Sequence, residues 1–426
     1  MESGSRQTVF GLGSWTDTVW LVSMSSTLLL VLLPFSSYIA SIPFVGKEWG
    51  MTNSQAAVVF SAYLVGYAVS AAFLIPVTDR LPAGRVMFAS VALIAVSNIL
   101  FPLLAQDVWT ASALRFAAGA GHVGAYIPGI RIVSLRFADG MRGTAVAIFV
   151  GAGYAGTTIS YVFMGQLLDI TDSWRTAYMI TALVGLIGVL IALVHIWPRG
   201  ARDGGSEQPS GSSGRLNLGV LRHRPMLLIN TAYALHTAEL YLARLWLPLL
   251  LAAALVHDGK EAGEAAVLAA TWSGFMFMTG IVGVFAGGVI SDRFGRTMGA
   301  GVIFAASGAI SFVAGWLVGA PPVALIILGF GYGFATSADS AIYSTAVTEL
   351  APQNLIGSTQ AIQSFVGFTV GAIAPIVAGG LLDVFDGTLG WGAAFGFNGL
   401  LAVIGVSALL ILRRMPEAAG MAAGKR

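Results

Sequence analysis

Six ionisable side chains lie inside long apolar stretches of this 426-residue chain: Arg115, His122, His236, Glu239, Arg244 and Asp339. A charge at the centre of a membrane costs at least about 2.5 kcal/mol on insertion scales, so such a residue usually faces a cavity or a partner. Buried cations can bind anions, and buried His, Glu and Asp can exchange protons. The set predicts a binding or proton-transfer site within a membrane.

The first of these stretches carries Arg115, Gly119, His122 and Tyr126. Their spacing places all four on one helical face, which we expect to point at a central cavity. Arg115 or His122 would bind an anionic group or take part in proton transfer. The alternative is that Arg115 only braces a neighbouring helix. Arg131, near the end of the same stretch, can reach the membrane surface and is expected to be a topology signal.

A later stretch carries Tyr233, His236, Glu239, Tyr241 and Arg244. His236 and Glu239 are three residues apart and can touch on a helix. Glu239 lies near the middle of the stretch and is the leading candidate for a proton-coupling carboxylate. A static ion pair with an arginine from another helix is the alternative. Arg244 precedes Pro248, where a kink would place it at the mouth of a cavity.

Asp339 is the second coupling candidate, and Tyr343 shares its helical face. The alternative is that Asp339 caps a local break while the small residues around it pack helices. Further polar or aromatic residues are spaced to share one helical face. They are weaker candidates, because such residues more often pack against neighbouring helices than bind a ligand. They are Tyr38, Tyr63, Tyr67, Ser70, Gln360 and Gln363.

The composition requires a bilayer around most of the surface. The chain is 56% hydrophobic and 10% charged, whereas soluble domains are about 25% charged. It has no cysteine, which excludes disulfides and thiolate metal sites. No nucleotide-binding loop or nucleophile elbow is recognisable, so we expect no enzyme, no cofactor and no metal site.

Apolar runs between charged and turn residues predict twelve membrane spans, which must be helices because lipid offers no hydrogen bonds to an open backbone. The predicted spans are 18–44, 54–78, 86–106, 109–135, 143–168, 174–197, 224–255, 265–290, 297–318, 321–348, 355–382 and 391–412.

Basic residues and one polar linker organise these spans. With both termini in the cytoplasm, most of the 22 Lys and Arg fall on that side, and only Lys47, Arg175 and Lys260 lie on the other. Residues 198–223 contain a Gly/Ser-rich flexible linker. We therefore expect one six-helix unit at 1–197, a cytoplasmic linker at 198–223 and a second six-helix unit at 224–426. A bacterial inner membrane is the expected location.

The chain repeats itself at half its length. Asp79 in one polar loop and Asp292 in another are 213 residues apart, and Gly-x-Leu-Leu-Asp recurs at Asp169 and Asp383, 214 residues apart. Two copies of one half-protein are how many secondary transporters are built.

Three further motifs carry a family resemblance: Gly288-x-x-x-Asp292-Arg293-x-Gly295-Arg296, Arg115-x-x-x-Gly119-x-Gly121 and Trp174-Arg175. With twelve spans around a central linker, the chain resembles the major facilitator superfamily over nearly its whole length. The resemblance implies an all-α membrane protein of two pseudo-symmetric six-helix bundles. The first loop departs from the family pattern, because two extra residues separate Asp79 from Gly84 and Ile75 stands where Gly is usual.

The resemblance also implies that the two loops hold the cytoplasmic side closed in one conformational state. Asp79 and Asp292 would sit near helix N-termini, and charged neighbours would strengthen the contact. The gating set is Asp79, Arg80, Arg85, Asp292, Arg293 and Arg296. Alternatively, the arginines are only topology signals.

The expected function is secondary active transport of a small solute by alternating access, with a proton or another ion as the coupling partner. Arg115 and Arg244 favour proton-coupled uptake of a small organic anion or zwitterion. The rival is proton-coupled efflux of amphipathic drugs, against which Tyr154 stands in place of the proline of the antiporter motif. A channel and a membrane enzyme are minor alternatives. The expected protein is a monomer in the lipid bilayer, without a nucleic-acid partner.

Overall fold

The computed structural model describes residues 15–78, 81–137, 139–196, 219–220, 223–352 and 356–425, and in these residues regular structure is helical, without a strand. The α-helices are α1 (Trp15–Leu32), α2 (Ser37–Trp49), α3 (Asn53–Thr78), α4 (Ala83–Leu104), α5 (Val108–Arg136), α6 (Asp139–Thr171), α7 (Trp174–His195), α8 (Arg224–His257), α9 (Ala262–Phe294), α10 (Arg296–Ala314), α11 (Pro322–Ala338), α12 (Ser340–Leu350), α13 (Ile356–Val384) and α14 (Gly387–Arg413). Most of the predicted linker falls outside the described residues.

Eleven helical stretches of the described residues are long and apolar enough to cross a membrane. They match eleven of the twelve predicted spans. The twelfth is α5, whose 29 residues at about 1.5 Å each reach roughly 44 Å, enough to span the bilayer. It is less apolar than the others because it carries Arg115, His122 and Arg131. The predicted all-α membrane fold is confirmed.

The first predicted span is broken in the structure, between α1 and α2. Pro34 lies in the break and has no N–H to donate. Ser36 replaces the missing helical bonds with side-chain bonds to α6. Its N–H donates to Ser160 Oγ over 3.0 Å, and its hydroxyl donates to the Thr157 carbonyl over 2.7 Å. The predicted span 18–44 is therefore a membrane span made of two helices, α1 and α2.

The predicted span 321–348 is also broken, at Asp339, between α11 and α12. A β-carbon on Gly287 of α9 would overlap the carbonyl oxygen of Ala338. Only glycine allows this close approach of two helices beside the break. The Asp339 side chain makes no cap bond to the backbone of α12.

Two sets of helices, α1–α7 and α8–α14, form the two halves of the molecule. Within the first half α5 packs against α3 and α4, and within the second half α8 packs against α13 and α14. The halves meet chiefly where α3 packs against α13 and where α6 packs against α9. These pairings leave side chains of α5, α8 and α11 facing the interior of the protein.

The halves are joined on the side opposite the chain termini. There the Asp383 carboxylate at the end of α13 accepts the N–H groups of Asn53 and Ser54 over 2.8 and 2.9 Å, and also the Ser54 hydroxyl. The carboxylate thereby caps the start of α3 in the other half. Asp383, a residue of the Gly-x-Leu-Leu-Asp repeat, thereby links the two halves on this side.

Candidate functional site

A cluster of aromatic rings and one histidine lies at mid-membrane depth. The Tyr63 hydroxyl and His122 Nδ1 are 3.0 Å apart. The Tyr67 ring lies edge-on to His122 with centroids 5.2 Å apart, and the Tyr126 ring lies 6.1 Å from His122. Tyr67 of α3 also stacks on Phe368 of α13 with centroids 3.9 Å apart. The cluster thus joins the two halves, and these rings must separate before a solute can enter between them.

Arg244 lies beside this cluster, also between the halves. Its guanidinium sits 5.0 Å from the centre of the Tyr154 ring and 6.0 Å from that of Phe277. Nη1 reaches Thr157 Oγ1 over a long 3.4 Å, while Nε has no hydrogen-bond partner among the described residues. The residue is only 5% exposed. The Arg244 backbone carbonyl accepts the Tyr161 hydroxyl over 2.7 Å, which ties α8 to α6.

Arg115 lies deeper, inside the first half. Its Nη2 donates to the Phe35 carbonyl in the break between α1 and α2 over 3.1 Å. Its guanidinium lies 4.7 Å from the centre of the Tyr63 ring and 5.6 Å from that of Tyr38. Tyr38 in turn donates its hydroxyl to the Ala56 carbonyl. These contacts favour the bracing alternative for Arg115, because they hold the broken span in place.

No carboxylate of the described residues neutralises either arginine. Among the residues that the structure describes, no Asp or Glu lies within ion-pair distance of Arg115 or Arg244. An isolated buried charge is strongly unfavourable. The aromatic faces offset part of this cost by cation–π attraction. A mobile anion between the halves would offset more of it at Arg244.

A second polar group lies within the second half. His236 Nδ1 is 3.0 Å from Asp339 Oδ1, and the two side chains are 2% and 1% exposed. Tyr343 donates its hydroxyl to Asp339 Oδ2 over 3.0 Å, and His236 Nε2 lies 2.9 Å from Ser340 Oγ. The predicted shared face of Asp339 and Tyr343 is confirmed. Gln363 joins this group more weakly, through a 3.5 Å bond to the Tyr343 carbonyl.

Glu239 and His236 form no hydrogen bond with each other in the described structure. The Glu239 carboxylate instead accepts the Ser307 hydroxyl over 2.9 Å and approaches the Tyr332 hydroxyl at 3.5 Å. Asn398 donates to the same tyrosine oxygen. Glu239 is fully buried among these neutral groups and makes no ion pair with an arginine in the described structure. Three residues of separation put His236 and Glu239 on neighbouring faces of α8, but each turns toward a different helix.

Sequence reasoning missed Tyr154 as a site residue. Its ring faces Arg244, and its hydroxyl bonds Ser337 Oγ of α11 over 2.5 Å. It therefore connects the first half to two helices of the second. The available signal was the departure from the antiporter motif at this position, which indicates that something other than proline is needed there.

The predicted gating loops are only partly described. Asp79 and Arg80 lie outside the described residues, and Arg85 is exposed. In the second loop Asp292 pairs with Arg296, which also binds Glu349 over 2.8 Å. These three residues all belong to the second half.

The remaining gating residue, Arg293, is exposed and lies over the Phe294 ring. The bonds described here for Asp292, Arg293 and Arg296 all stay within the second half. The gating role remains a prediction.

A groove of about 330 Å³ between α10 and α14 lies apart from these groups. It is lined by Ala305, Gly308, Ala309, Phe312, Gly399, Ala402, Val403, Val406 and Ser407. The lining is almost wholly apolar and contains none of the candidate site residues.

Comparison with known proteins identifies relatives over most of the chain. A family model described as Major Facilitator Superfamily matches residues 24–375. The chain is 27% identical to the gentisate transporter of Corynebacterium glutamicum, over 87% of this chain and 82% of that protein. It is 22% identical to the hexuronate transporter of Bacillus subtilis, over 90% of each. It is also 22% identical to the multidrug resistance protein MdtL of Escherichia coli, over 85% and 90%.

The crystal structure of the nucleoside transporter NupG superimposes with a TM-score of 0.73, covering 93% of this chain and 99% of that one. At 13% sequence identity the likeness concerns the fold alone.

Proposed function

Because this chain belongs to the Major Facilitator Superfamily, a family of transporters, we propose that it takes up a small organic anion or zwitterion together with protons. Alternating access, in which the two halves expose a central site to one face of the membrane at a time, would carry the solute. The site lies where α5, α6 and α8 approach one another at mid-membrane.

The observation that carries the proposal is Arg244. It is a permanently charged side chain between the two halves, with an unbonded Nε and no carboxylate partner among the described residues. Guanidinium groups bind carboxylates through paired, charge-assisted hydrogen bonds. An incoming carboxylate would supply the missing charge, and it would do so only while the solute is bound.

The surroundings of Arg244 favour a solute with a flat or aromatic body. Tyr154 and Phe277 flank the guanidinium, and Tyr241 lies one turn away on α8. Aromatic rings stack on one another with a gain of about 0.5–1.5 kcal/mol beyond area burial. Relatives that carry gentisate and hexuronate, both carboxylates, support the same class of solute.

The membrane potential opposes the uptake of an anion, and this is the reason for proposing coupling to protons. Moving one negative charge into a negatively charged interior costs about 2.3 kcal/mol per 100 mV. A proton moved with each anion cancels this charge, and a second one makes entry favourable. The distribution of Lys and Arg supports placing both termini inside, in the inner membrane of a bacterium. We propose that the protein works as a monomer.

Efflux of amphipathic drugs is the alternative, and the likeness to MdtL is the observation that favours it. Lipophilic cations are poor ligands for a site next to Arg244, because like charges repel strongly at low dielectric. Tyr154 in place of the antiporter proline also argues against drug efflux. Uptake of an anion is therefore the better proposal.

Purified protein in liposomes tests this function directly. We expect gentisate or a hexuronate to raise the thermal unfolding temperature, since a ligand bound to the folded state stabilises it. A proton gradient, acid outside, should then drive accumulation of the same solute. Arg244→Gln should abolish both effects, whereas the control Lys260→Gln, which removes an exposed cation, should keep them. Stabilisation by tetraphenylphosphonium alone would contradict the proposal.

A further inference from the structure

We propose that the buried His236–Asp339 pair binds the coupling proton, and that the proton resides on Nε2 of His236. This inference rests on the proton-coupled transport proposed above and names the group that does the coupling. His236 lies eight residues before Arg244 on α8, about 12 Å along the helix. The proton and the solute would therefore occupy separate sites.

The hydrogen-bond partners of the imidazole define where a proton can come and go. Nδ1 is 3.0 Å from Asp339 Oδ1. The two groups are not aligned as a hydrogen bond, so the contact is electrostatic, and it is attractive only when Nδ1 carries a hydrogen. Nε2 faces the Ser340 hydroxyl at 2.9 Å. A hydroxyl donates as readily as it accepts, so Nε2 can hold a proton or lack one without movement of a heavy atom.

The charge balance makes this proton sensitive to its surroundings. With a proton on Nε2, the imidazolium and the Asp339 carboxylate form a pair of zero net charge. Loss of that proton leaves a net charge of −1, supported mainly by the Tyr343 hydroxyl. A buried, uncompensated carboxylate is unfavourable without water. Release of the proton is therefore expected only in a conformation that admits water to the pair.

The other groups around the pair are less suited than His236 to binding and releasing a proton. Tyrosines face the pair from two helices: Tyr233 of α8 and Tyr343 of α12. Helix α10 contributes the apolar Phe304 ring, and α13 contributes the neutral amide of Gln363. Glu239, one turn along α8, is the nearby carboxylate among the described residues, and its hydrogen-bond partners Ser307 and Tyr332 are neutral.

The position of Asp339 links the pair to the movement of the halves. Asp339 stands at the break between α11 and α12, two residues after Ser337. Ser337 bonds Tyr154 of the opposite half, and that same tyrosine faces Arg244. Separation of the halves must break the Tyr154–Ser337 bond. The broken helix is then free to shift, and the His236–Asp339 contact shifts with it.

Nuclear magnetic resonance of ¹⁵N-histidine in bilayer-embedded protein tests the proton site. The chain has five histidines, and His236→Gln assigns the relevant signal. We expect the spectra to show His236 in both its cationic and its neutral form as the pH is varied. In Asp339→Asn it should stay neutral throughout. A His236 signal that never changes its protonation state, or that is unaffected by Asp339→Asn, overturns the proposal.

A second measurement ties the proton to conformation without a solute. A single cysteine at Ala40, buried between the halves, should react with a maleimide at a rate that depends on pH. His236→Gln should remove this dependence, and the control His257→Gln, an exposed histidine, should not. Persistence of the full pH dependence in His236→Gln contradicts the inference. If the solute assays fail, the pH dependence of labelling can still be measured. If the pH dependence survives in His236→Gln, solute transport can still occur, with another group binding the coupling proton.

Discussion

Replacing Asp383 with Asn tests the contact that closes the molecule on the side opposite its termini. The Asp383 carboxylate accepts two backbone N–H groups, from Asn53 and Ser54, and the Ser54 hydroxyl. Asn keeps the shape and one acceptor oxygen but loses the charge and the second acceptor. The closed arrangement loses this stabilisation, whereas an arrangement with the halves apart on this side never had it.

The size of the effect follows from capping energetics. Loss of an N-cap acceptor costs about 0.5–2 kcal/mol, and the interaction of the charge with the helix N-terminus contributes about 0.3–1 kcal/mol. Because the Asp383 side chain is exposed, solvent screens part of this energy. A net loss of about 1–1.4 kcal/mol remains, which shifts the equilibrium toward the open form by about five- to tenfold.

Cysteine labelling measures this shift, because the chain contains no native cysteine. Ala40 is 4% exposed and lies at the packed junction of the halves beside Pro248 and Ala270. A cysteine at Ala40 should react about five- to tenfold faster with a maleimide when Asp383→Asn is present. The matched control is Asp386→Asn, an exposed carboxylate nearby that makes no side-chain cap bond.

An unchanged or slower labelling rate in Asp383→Asn would refute this reasoning. So would an equal acceleration in Asp386→Asn, because general loss of negative charge would then explain the result.

Three further substitutions test other parts of the structure. Arg115→Met removes the bond to the Phe35 carbonyl and the stacking contacts, so we expect a loss of about 2–4 kcal/mol of stability, seen as a lower thermal unfolding temperature; an unchanged temperature would contradict its bracing role. Glu239→Gln should keep proton-driven accumulation of gentisate within about twofold, since its present partners can hydrogen-bond an amide equally well; loss of accumulation with normal solute binding would return the coupling role to Glu239. Gly287→Val should abolish folding or lower stability by more than about 3 kcal/mol, because its side chain would overlap the Ala338 carbonyl; a stable variant would show that α9 and α11 do not pack this closely.

The sequence was sufficient for the architecture because hydropathy reports directly on contact with lipid. It predicted twelve spans, and it placed Asp339 and Tyr343 on one face because helical spacing fixes that relation. The break at Pro34 was not predicted, and the break at Asp339 was considered only as an alternative. Each lies in an apolar run long enough to read as continuous helix, and the bonds that compensate each break come from distant helices.

The partners of the buried groups could not be read from the chain either. His236 of α8 meets Asp339 at the break between α11 and α12, and Arg244 meets Tyr154 across the two halves. Sequence spacing defines neighbours only within one helix. Tyr154 shows the same limitation, since its role depends on what α8 and α11 place opposite it.

Paired spin-label distances test the central claim that the halves alternate between two arrangements. One pair, Trp109 and Val323, is exposed on the side opposite the termini, and a second, Arg85 and Met298, is exposed on the terminal side. Cysteines at these positions carry the labels without background. The account predicts two distance populations at each face, with a longer distance at one face whenever the other shortens, and a shift between them on changing pH or adding solute. A single fixed distance at both faces, or lengthening at both together, would contradict it.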